Sequence, residues 1–427
     1  MTQELAAFVG IDWADEKHAA CLIPAAGGIA QQTEIEQTPE AITAWAADLR
    51  VRFDGRPIGV CLEQSRGALV YALMQYDFLV LYPINPKQLA AYREALYPSG
   101  AKNDPNDAEL VARFLRDHSD KLRARHPDDE ATRALRLFTE QRRKWVEDRV
   151  ALTNELRQRL KESYPLALEL SGDNLASESF LALLEKFPSQ RELQRSSPKQ
   201  LQEWLPRRRR VADDPPTAEL LRQRIAAIRK VPLITTDRPV LEHSRLAISH
   251  LVLLLKAINH SISECEQKIS EQFAKHPDAE LFASFPGAGP ALAPRLASAY
   301  GSDRDKLQDA RDMQQLSGIA PVMRTSGKSK IVLMRWACPK FLRQTFHEHA
   351  RCSTSKSRWA RAYVVMRTQR GDSYQQILRG LAFKWQRIIF RCWKTNQPYD
   401  EERYIRRLHA TGSELVKFIS ENPPKNA

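Results

Sequence analysis

The chain has 427 residues, 43% of them hydrophobic, which predicts two or three domains with real cores. Lys and Arg number 65 against 52 Asp and Glu, and the net charge of +13 favours a polyanionic partner. The N-terminus has no basic stretch followed by an apolar one, and the longest apolar run, Leu251–Leu255, is too short to span a bilayer. We therefore expect no signal peptide, no membrane partner and a cytoplasmic location.

The positive charge is concentrated in the last quarter of the chain. Residues 321–427 contain 22 Lys and Arg against 7 Asp and Glu, whereas residues 1–320 carry a small net negative charge. An uneven distribution of this kind indicates a nucleic-acid-binding surface rather than general solubility. The six cysteines form no CxxC pair, which argues against a zinc ribbon or a disulfide framework.

Residues 1–127 are predicted to form an α/β domain. Apolar runs typical of strands occur at Ala6–Trp13, Ala19–Pro24, Thr33–Glu36, Pro57–Leu62 and Phe78–Ile84. Helical patterns begin at Thr38-Pro39, after Leu62, at Pro86 and after Pro98–Asp104. Three strands followed by alternating helices and strands favour an RNase H-like (RuvC-like) sheet.

The rest of the chain is predicted to be mostly α-helical. Residues 128–280 contain two long helical patterns, at 130–163 and Leu241–Phe273, which predict an antiparallel coiled-coil stalk with an insertion between its helices. Residues 281–427 form the third predicted domain. It has an exposed loop at Val322–Lys330, followed by helices at Lys340–Ala350, Ser357–Gln369 and Ser373–Lys394.

Four carboxylates stand at the predicted ends of elements. Asp12 ends the first strand, Glu63 follows the fourth, and Asp104 and Asp107 begin a helix. An RNase H-like sheet places its first and fourth strands side by side, and the i,i+3 spacing puts the two helical acids on one face. Each acid also has an ordinary structural explanation, such as Asp104 as a helix N-cap. As a set they predict a Mg²⁺ site for phosphodiester chemistry.

A serine lies in a basic loop near the C-terminal quarter. Ser326 is flanked by Arg324, Gly327, Lys328 and Lys330, residues that can hold a phosphate beside a serine alkoxide. A serine in a loop of this composition is weak evidence by itself, and a simple phosphate contact is the alternative interpretation.

The segment Pro286–Pro290 has the glycine spacing of a helix-hairpin-helix turn. Gly287 and Gly289 are candidates for backbone contacts to a phosphate at a helix N-terminus, while a tight turn between packed helices is the alternative. Aromatic residues of the last helices, such as Trp359 and Trp385, are interpreted mostly as core. The outward-facing cations of these helices are the better candidates for nucleic-acid contacts.

Together these motifs resemble the DEDD transposases of bacterial insertion sequences of the IS-110 type, along nearly the whole chain. The acidic motifs resemble the RuvC-like domain of that family: Gly10-Ile11-Asp12, Leu62-Glu63 and Asn103–Ala108. The later motifs resemble its transposase domain: Pro286–Pro290, Gly318–Pro321, Ser326-Gly327 and Gln397–Asp400.

The resemblance implies a DNA recombinase whose four acids bind Mg²⁺ while the serine forms a phosphoserine link to DNA. It also implies a composite site in a homo-oligomer, either a dimer or a tetramer. A structured non-coding bridge RNA would guide the recombinase to donor and target DNA, in the bacterial cytoplasm at the nucleoid.

Two other functions stay open on the residues alone. One is a RuvC-like metal-dependent nuclease or junction resolvase, in which Ser326 only contacts a phosphate. The other is a non-catalytic RNA- or DNA-binding protein built on an RNase H scaffold. A covalent protein–DNA adduct separates the recombinase from the resolvase, and loss of activity with a chelator separates both from the third.

Overall fold

Five short strands form one mixed sheet near the N-terminus. In the computed structural model these are β1 (Ala7–Asp12), β2 (Lys17–Pro24), β3 (Gln31–Glu36), β4 (Ile58–Leu62) and β5 (Leu79–Pro83). Of these strands, β1, β2 and β4 are largely continuous buried runs. Their order is β3-β2-β1-β4-β5; β2 is antiparallel to β1 and β3, and β4 is parallel to β1 and β5. The observed sheet agrees with the predicted α/β, RNase H-like class.

The structure describes most of the chain, in ranges separated by short gaps and one longer gap: residues 4–64, 66–96, 104–125, 127–171, 174–197, 199–200, 226–327 and 329–421. The side chains of Asp104 and Pro105 are outside this description. The chain divides into two compact units, Met1–Asp128 and Asp129–Ala427. The predicted boundary near residue 280 stays a prediction.

Helices cover both faces of the sheet: α1 (Pro39–Arg52), α2 (Ala68–Leu73), α3 (Pro86–Leu96) and α4 (Asp104–His118). The first begins where the sequence predicts it, with the Thr38 side chain accepting a hydrogen bond from the Ala41 amide at 3.2 Å and Pro39 in the first turn. Apolar residues of α1 and α2 pack on one face of the sheet, and those of α3 and α4 pack on the other.

Two long helices dominate the start of the second unit: α5 (Glu130–Ser163) and, after the short helices α6 (Pro165–Leu170), α7 (Glu178–Lys186) and α8 (Gln190–Arg195), the helix α9 (Arg238–Ala274). Arg142 forms an ion pair with Glu266 at 2.5 Å, and further along α5 Arg149 donates to Asn259 at 3.3 Å. The partners move backwards along α9, so the two helices are antiparallel. Their supercoiling stays a prediction.

By length and composition α9 also qualifies as a helix able to cross a membrane, with a mean hydropathy of 1.3 over 18 residues. Within the described residues its apolar side chains have another explanation. Ile248, Leu251, Val252 and Leu255 are buried in a cluster with residues of α5 to α8. Packing between these helices therefore accounts for part of the apolar composition of α9, while Leu246, Leu253 and Leu254 of the same helix are exposed.

The remaining helices of the second unit share one aromatic-rich core: α10 (Ala279–Ala283), α11 (Gly289–Tyr300), α12 (Ala310–Leu316), α13 (Lys340–Ser353), α14 (Arg358–Gln369), α15 (Tyr374–Thr395), α16 (Glu401–Ala410) and α17 (Leu415–Glu421). Two further strands, β6 (Val322–Ser326) and β7 (Ser329–Leu333), come between α12 and α13 and are mostly exposed. Trp359, Trp385 and Trp393 are fully buried there. This confirms the interpretation of these rings as core rather than as platforms for bases.

Candidate metal centre and serine hairpin

Asp12 and Glu63 lie at the same edge of the sheet. Asp12 is the last residue of β1, and Glu63 directly follows the end of β4. The residues before them, Ile11 and Leu62, are paired in the parallel register of these two strands. Since paired strands lie about 4.8 Å apart, the backbones at Asp12 and Glu63 are neighbours.

The two acids also belong to the same face of the sheet. Side chains alternate along a strand, so Asp12 shares the face of Phe8, and Glu63 that of Cys61. Phe8 and Cys61 both pack in a cluster with apolar residues of α4. Burial raises the pKa of the Cys61 thiol to about 12, and the nearby negative charge of Glu63 adds to that rise. Both acids therefore stand at the edge of the face that α4 covers.

A glycine lets α4 approach β1 closely. A Cβ atom at Gly10 would lie 2.2 Å from the carbonyl oxygen of Ala108 and 2.3 Å from the amide nitrogen of Ala112. Both atoms belong to helix backbone that cannot yield by rotating a side chain. Gly10 therefore fixes the distance between the strand that ends at Asp12 and the helix that carries Asp107.

The direction of α4 places its first turn at the acidic edge. Gly10 of β1 contacts the helix at Ala108. Gly59 of β4, which is paired with Phe8 and so lies two positions earlier along the strands, is next to the Leu115 side chain. Helix α4 therefore runs antiparallel to β1 and β4, and its N-terminus points to the edge where those strands end. Asp107 belongs to this first turn, and the side chain of Asp104 lies outside the described residues.

Asp107 is buried and has a positively charged partner. Its side chain is 7% exposed, and Oδ1 forms an ion pair with the Arg93 guanidinium of α3 at 2.8 Å. Among the described residues, the buried Arg93 Nε has no hydrogen-bond partner. The sequence analysis missed Arg93 because no local spacing links a residue of α3 to one of α4.

The chemistry of these side chains fits a hard divalent cation. Asp12, Glu63 and Asp107 offer carboxylate oxygens, the ligands that Mg²⁺ prefers. Among the described side chains no group of three or more His, Cys, Asp and Glu is close enough to hold a metal ion, and Asp104 is outside that comparison. Convergence of all four acids on a metal stays a prediction.

Ser326 lies at the end of a β-hairpin, where an exposed loop was predicted over Val322–Lys330. Strand β6 ends at Ser326, which is paired with Ser329 at the start of β7. Gly327 makes the turn with a φ of +55°, a conformation that glycine adopts at little cost. The predicted exposure is confirmed, and the prediction of a loop was wrong, because cross-strand pairing rather than burial holds these strands.

The hairpin separates the cations around Ser326. Arg324 is two residues from Ser326 on the same strand and shares its face, whereas Lys330 is paired with Thr325 and points to the other face. Lys328 lies outside the described residues. Of the cations whose positions are described, only Arg324 is therefore placed to meet a phosphate that reaches the serine hydroxyl from that face.

The turn at Pro286–Pro290 joins α10 to α11. Gly287 has a φ of +80°, and a Cβ atom there would lie 2.6 Å from the backbone of Cys352 and Ser353. Packing against α13 alone thus requires a glycine at position 287. Gly289 faces open space with a φ of +52°. Phosphate contacts at these two glycines, and the helix-hairpin-helix assignment itself, stay predictions.

Comparison with known protein families links both units to mobile DNA elements. A family model described as "Transposase", of the DEDD type of IS110, matches residues 9–165. A second, described as "Transposase IS116/IS110/IS902 family", matches residues 279–365. The first match contains the four acids, and the second contains the Pro286–Pro290 turn and Ser326.

Individual relatives align along nearly their whole length. The protein named "Mini-circle putative transposase for IS117" of Streptomyces coelicolor is 28% identical over 93% of this chain and 96% of its own. The "Insertion element IS116 uncharacterized 44.8 kDa protein" of Streptomyces clavuligerus is 27% identical, over 88% and 91%. With both family matches and these relatives, the chain belongs to the IS110-type family of DEDD transposases of insertion sequences.

Proposed function

We propose that this transposase cuts and rejoins DNA through a Mg²⁺-dependent cluster of Asp12, Glu63, Asp104 and Asp107 and a nucleophilic Ser326. The observation that carries the proposal is the geometry of the sheet edge. Two acids on adjacent parallel strands share one face, and a helix bearing two further acids is aimed at the same edge. That arrangement supports metal-assisted displacement at a phosphodiester.

The role of the four acids in this proposal is to hold the divalent cation at the edge of the sheet. Carboxylate oxygens of the four residues bind the metal, and Gly10 keeps α4 close to β1. Bound Mg²⁺ supplies Lewis-acid stabilisation of the charge that develops on the phosphate oxygens.

Ser326 forms the covalent link in this mechanism. Its hydroxyl loses a proton, Oγ attacks the phosphorus, and one P–O ester bond breaks to release a sugar hydroxyl. Rejoining reverses the step: a sugar hydroxyl attacks the phosphoserine, and the Oγ–P bond breaks. The ester count is unchanged, so no ATP is required. A carboxylate of the cluster, in another subunit, accepts the serine proton.

The partners in the proposal are donor DNA, target DNA, a structured guide RNA and further copies of the chain. The concentration of positive charge in residues 321–427 supports contact with nucleic acid. An exposed hairpin carrying Ser326 supports a composite site, because a nucleophile at a protruding tip is accessible to another subunit. Action at the nucleoid follows from the same role.

Removal of the metal tests the function directly. Purified protein mixed with donor DNA, target DNA and RNA transcribed from the element's flank is expected to yield joined products in Mg²⁺. A chelator should abolish the products, and added Mg²⁺ should restore them, while DNA binding measured by mobility shift persists. Joined products formed in the presence of excess chelator would contradict the proposed site.

The Arg93–Asp107 pair gives a second test that needs no activity. Arg93→Gln leaves a buried carboxylate without its cation, a change that costs about 3 kcal/mol in stability. We expect a lower melting temperature without metal and a larger increase on adding Mg²⁺ than in wild type, because the metal replaces the missing charge.

The matched control is Arg50→Gln, which breaks an ion pair to Asp77 of the same 2.8 Å length between exposed side chains. It should change neither quantity noticeably, since exposed pairs contribute little. If Mg²⁺ stabilises Arg93→Gln no more than it stabilises wild type, Asp107 does not belong to a metal site.

A further inference from the structure

A basic groove of about 1190 Å³ lies in the second unit between α15 and α16. Asp400 is the only acid among the described residues that line it. Six cations line it: Lys384, Arg387, Arg391, Lys394, Arg403 and Arg407. None of the residues that line it belongs to the serine hairpin. The charge of the last quarter of the chain is therefore concentrated in part at one concave site.

Four of these arginines fall into two pairs, each with one member on α15 and one on α16. Arg387 and Arg391 are one turn apart on α15, and Arg403 and Arg407 are one turn apart on α16. All four line the groove, as does Tyr404. The guanidiniums of Arg387 and Arg407 both lower the pKa of the Tyr404 hydroxyl, which burial raises overall, so both charges of this pair lie near that hydroxyl.

The second pair is arranged in the same way. Burial raises the pKa of the Cys392 thiol to about 11, and the charges of Arg391 and Arg403 oppose that rise. Arg391 and Arg403 are therefore both near Cys392, as Arg387 and Arg407 are both near Tyr404, and all four line the groove. Within each helix the two arginines are one turn apart.

These arginines lack carboxylate partners. Within the described part of the chain, the guanidiniums of Arg387, Arg391, Arg403 and Arg407 have no acidic side chain within ion-pair distance, and that of Arg403 donates to the Gln397 side chain at 3.2 Å. Nearby arginines outside the groove are paired: Arg358 with Glu402 and Arg370 with Glu414. Like charges that share one groove without partners are unfavourable, and a bound anion removes that cost.

The shape of the groove selects the kind of anion. Guanidinium groups match phosphate geometry with paired hydrogen bonds. The volume lies just above the roughly 300–1,000 Å³ of small-molecule pockets, so the groove has room for more than one nucleotide. A single strand leaves its bases free to contact apolar and aromatic side chains, whereas a duplex stacks and pairs them. Half-buried Phe390 and Leu408 add apolar surface suited to sugars and bases.

We propose that the groove between α15 and α16 binds a single-stranded phosphodiester chain, RNA or DNA, with successive phosphates on the two arginine pairs. The site needs neither the carboxylates nor Ser326. It rests on the proposed function only in taking nucleic acid as the natural polyanion.

The test measures binding of short labelled single strands by fluorescence anisotropy across a salt series. The variant Arg387→Gln/Arg391→Gln removes one side of both pairs in the full-length protein. We expect a loss of affinity of about tenfold or more. The slope of log affinity against log salt should fall by about 1.4, because each lost phosphate contact on a single strand contributes about 0.7. Melting by circular dichroism verifies that the variant is folded.

The matched control is Arg358→Gln/Arg370→Gln, which removes the same charge from arginines that already have carboxylate partners. It should leave the slope unchanged. Comparing RNA with DNA of one sequence identifies the natural strand. Equal losses in both variants, or tighter binding of a duplex than of either strand, would overturn the proposal.

The outcome of this binding test does not depend on whether the protein joins DNA. If the groove variant binds single strands as wild type does while DNA is still joined, the groove proposal fails and the proposed function stands. If the groove variant loses affinity for single strands while the wild-type protein joins no DNA, the proposed function fails and the groove proposal stands.

Discussion

Asp12→Asn is expected to reduce DNA strand cleavage at least roughly a hundredfold. The change keeps the shape of the side chain but removes one carboxylate charge from the edge shared with Glu63. Loss of a residue that only hydrogen-bonds a metal ligand lowers metal affinity or activity about 10- to 100-fold, so loss of a ligand itself should lower activity at least as much. Cleavage of end-labelled DNA over a Mg²⁺ titration measures the effect, and binding of DNA should persist.

Asp15→Asn is the matched control, since Asp15 is an exposed acid only three residues away, in the turn after β1. It should cleave DNA at the wild-type rate. Full activity in Asp12→Asn would remove Asp12 from the site. Unimpaired DNA binding with no cleavage in any form of the protein would instead favour a non-catalytic role for this sheet.

Ser326→Ala is expected to abolish strand exchange, with a loss of roughly six orders of magnitude if the hydroxyl is the nucleophile, as in serine proteases. Folding should be unaffected, because Ser326 is exposed at the end of β6. Denaturant added during the reaction traps the covalent intermediate. Mass spectrometry of the wild-type adduct should find phosphoserine in the peptide that contains residue 326.

Ser329→Ala is the control, because Ser329 is the cross-strand partner of Ser326. Its activity should stay close to that of wild type. An adduct at Thr325 or Ser329 would keep the mechanism and change the residue. Ser317 is a poor alternative, since it is fully buried and accepts a hydrogen bond from Gln386 at 2.7 Å. Recombination by Ser326→Ala would favour the resolvase.

The sheet was predictable from the sequence because its strands are defined by local patterns. Each apolar run ends within two residues of the observed strand, so the positions of Asp12 and Glu63 at strand ends follow directly. Placing them side by side needed only the expectation that the first and fourth strands are neighbours, which the register confirms.

Other features depend on contacts that no local pattern reveals. The hairpin at Ser326 has no buried face, so its strands lack the alternation that predicts a strand. The pairing of Arg93 with Asp107 joins two helices. The groove requires α16, a helix absent from the prediction, and only its packing beside α15 brings arginines of both helices to one groove.

The antiparallel pair of α5 and α9 is constrained in length as well as in sequence. Helix α5 has 34 residues and is therefore about 50 Å long. Leu135 near its start belongs to the aromatic core, and Leu156 near its end belongs to the cluster around α6 to α8. A residue inserted into one helix would rotate every later contact by about 100° against the other. Over evolutionary time such a pair tolerates changes of sequence far more readily than changes of length, and an indel survives only when both helices acquire it together.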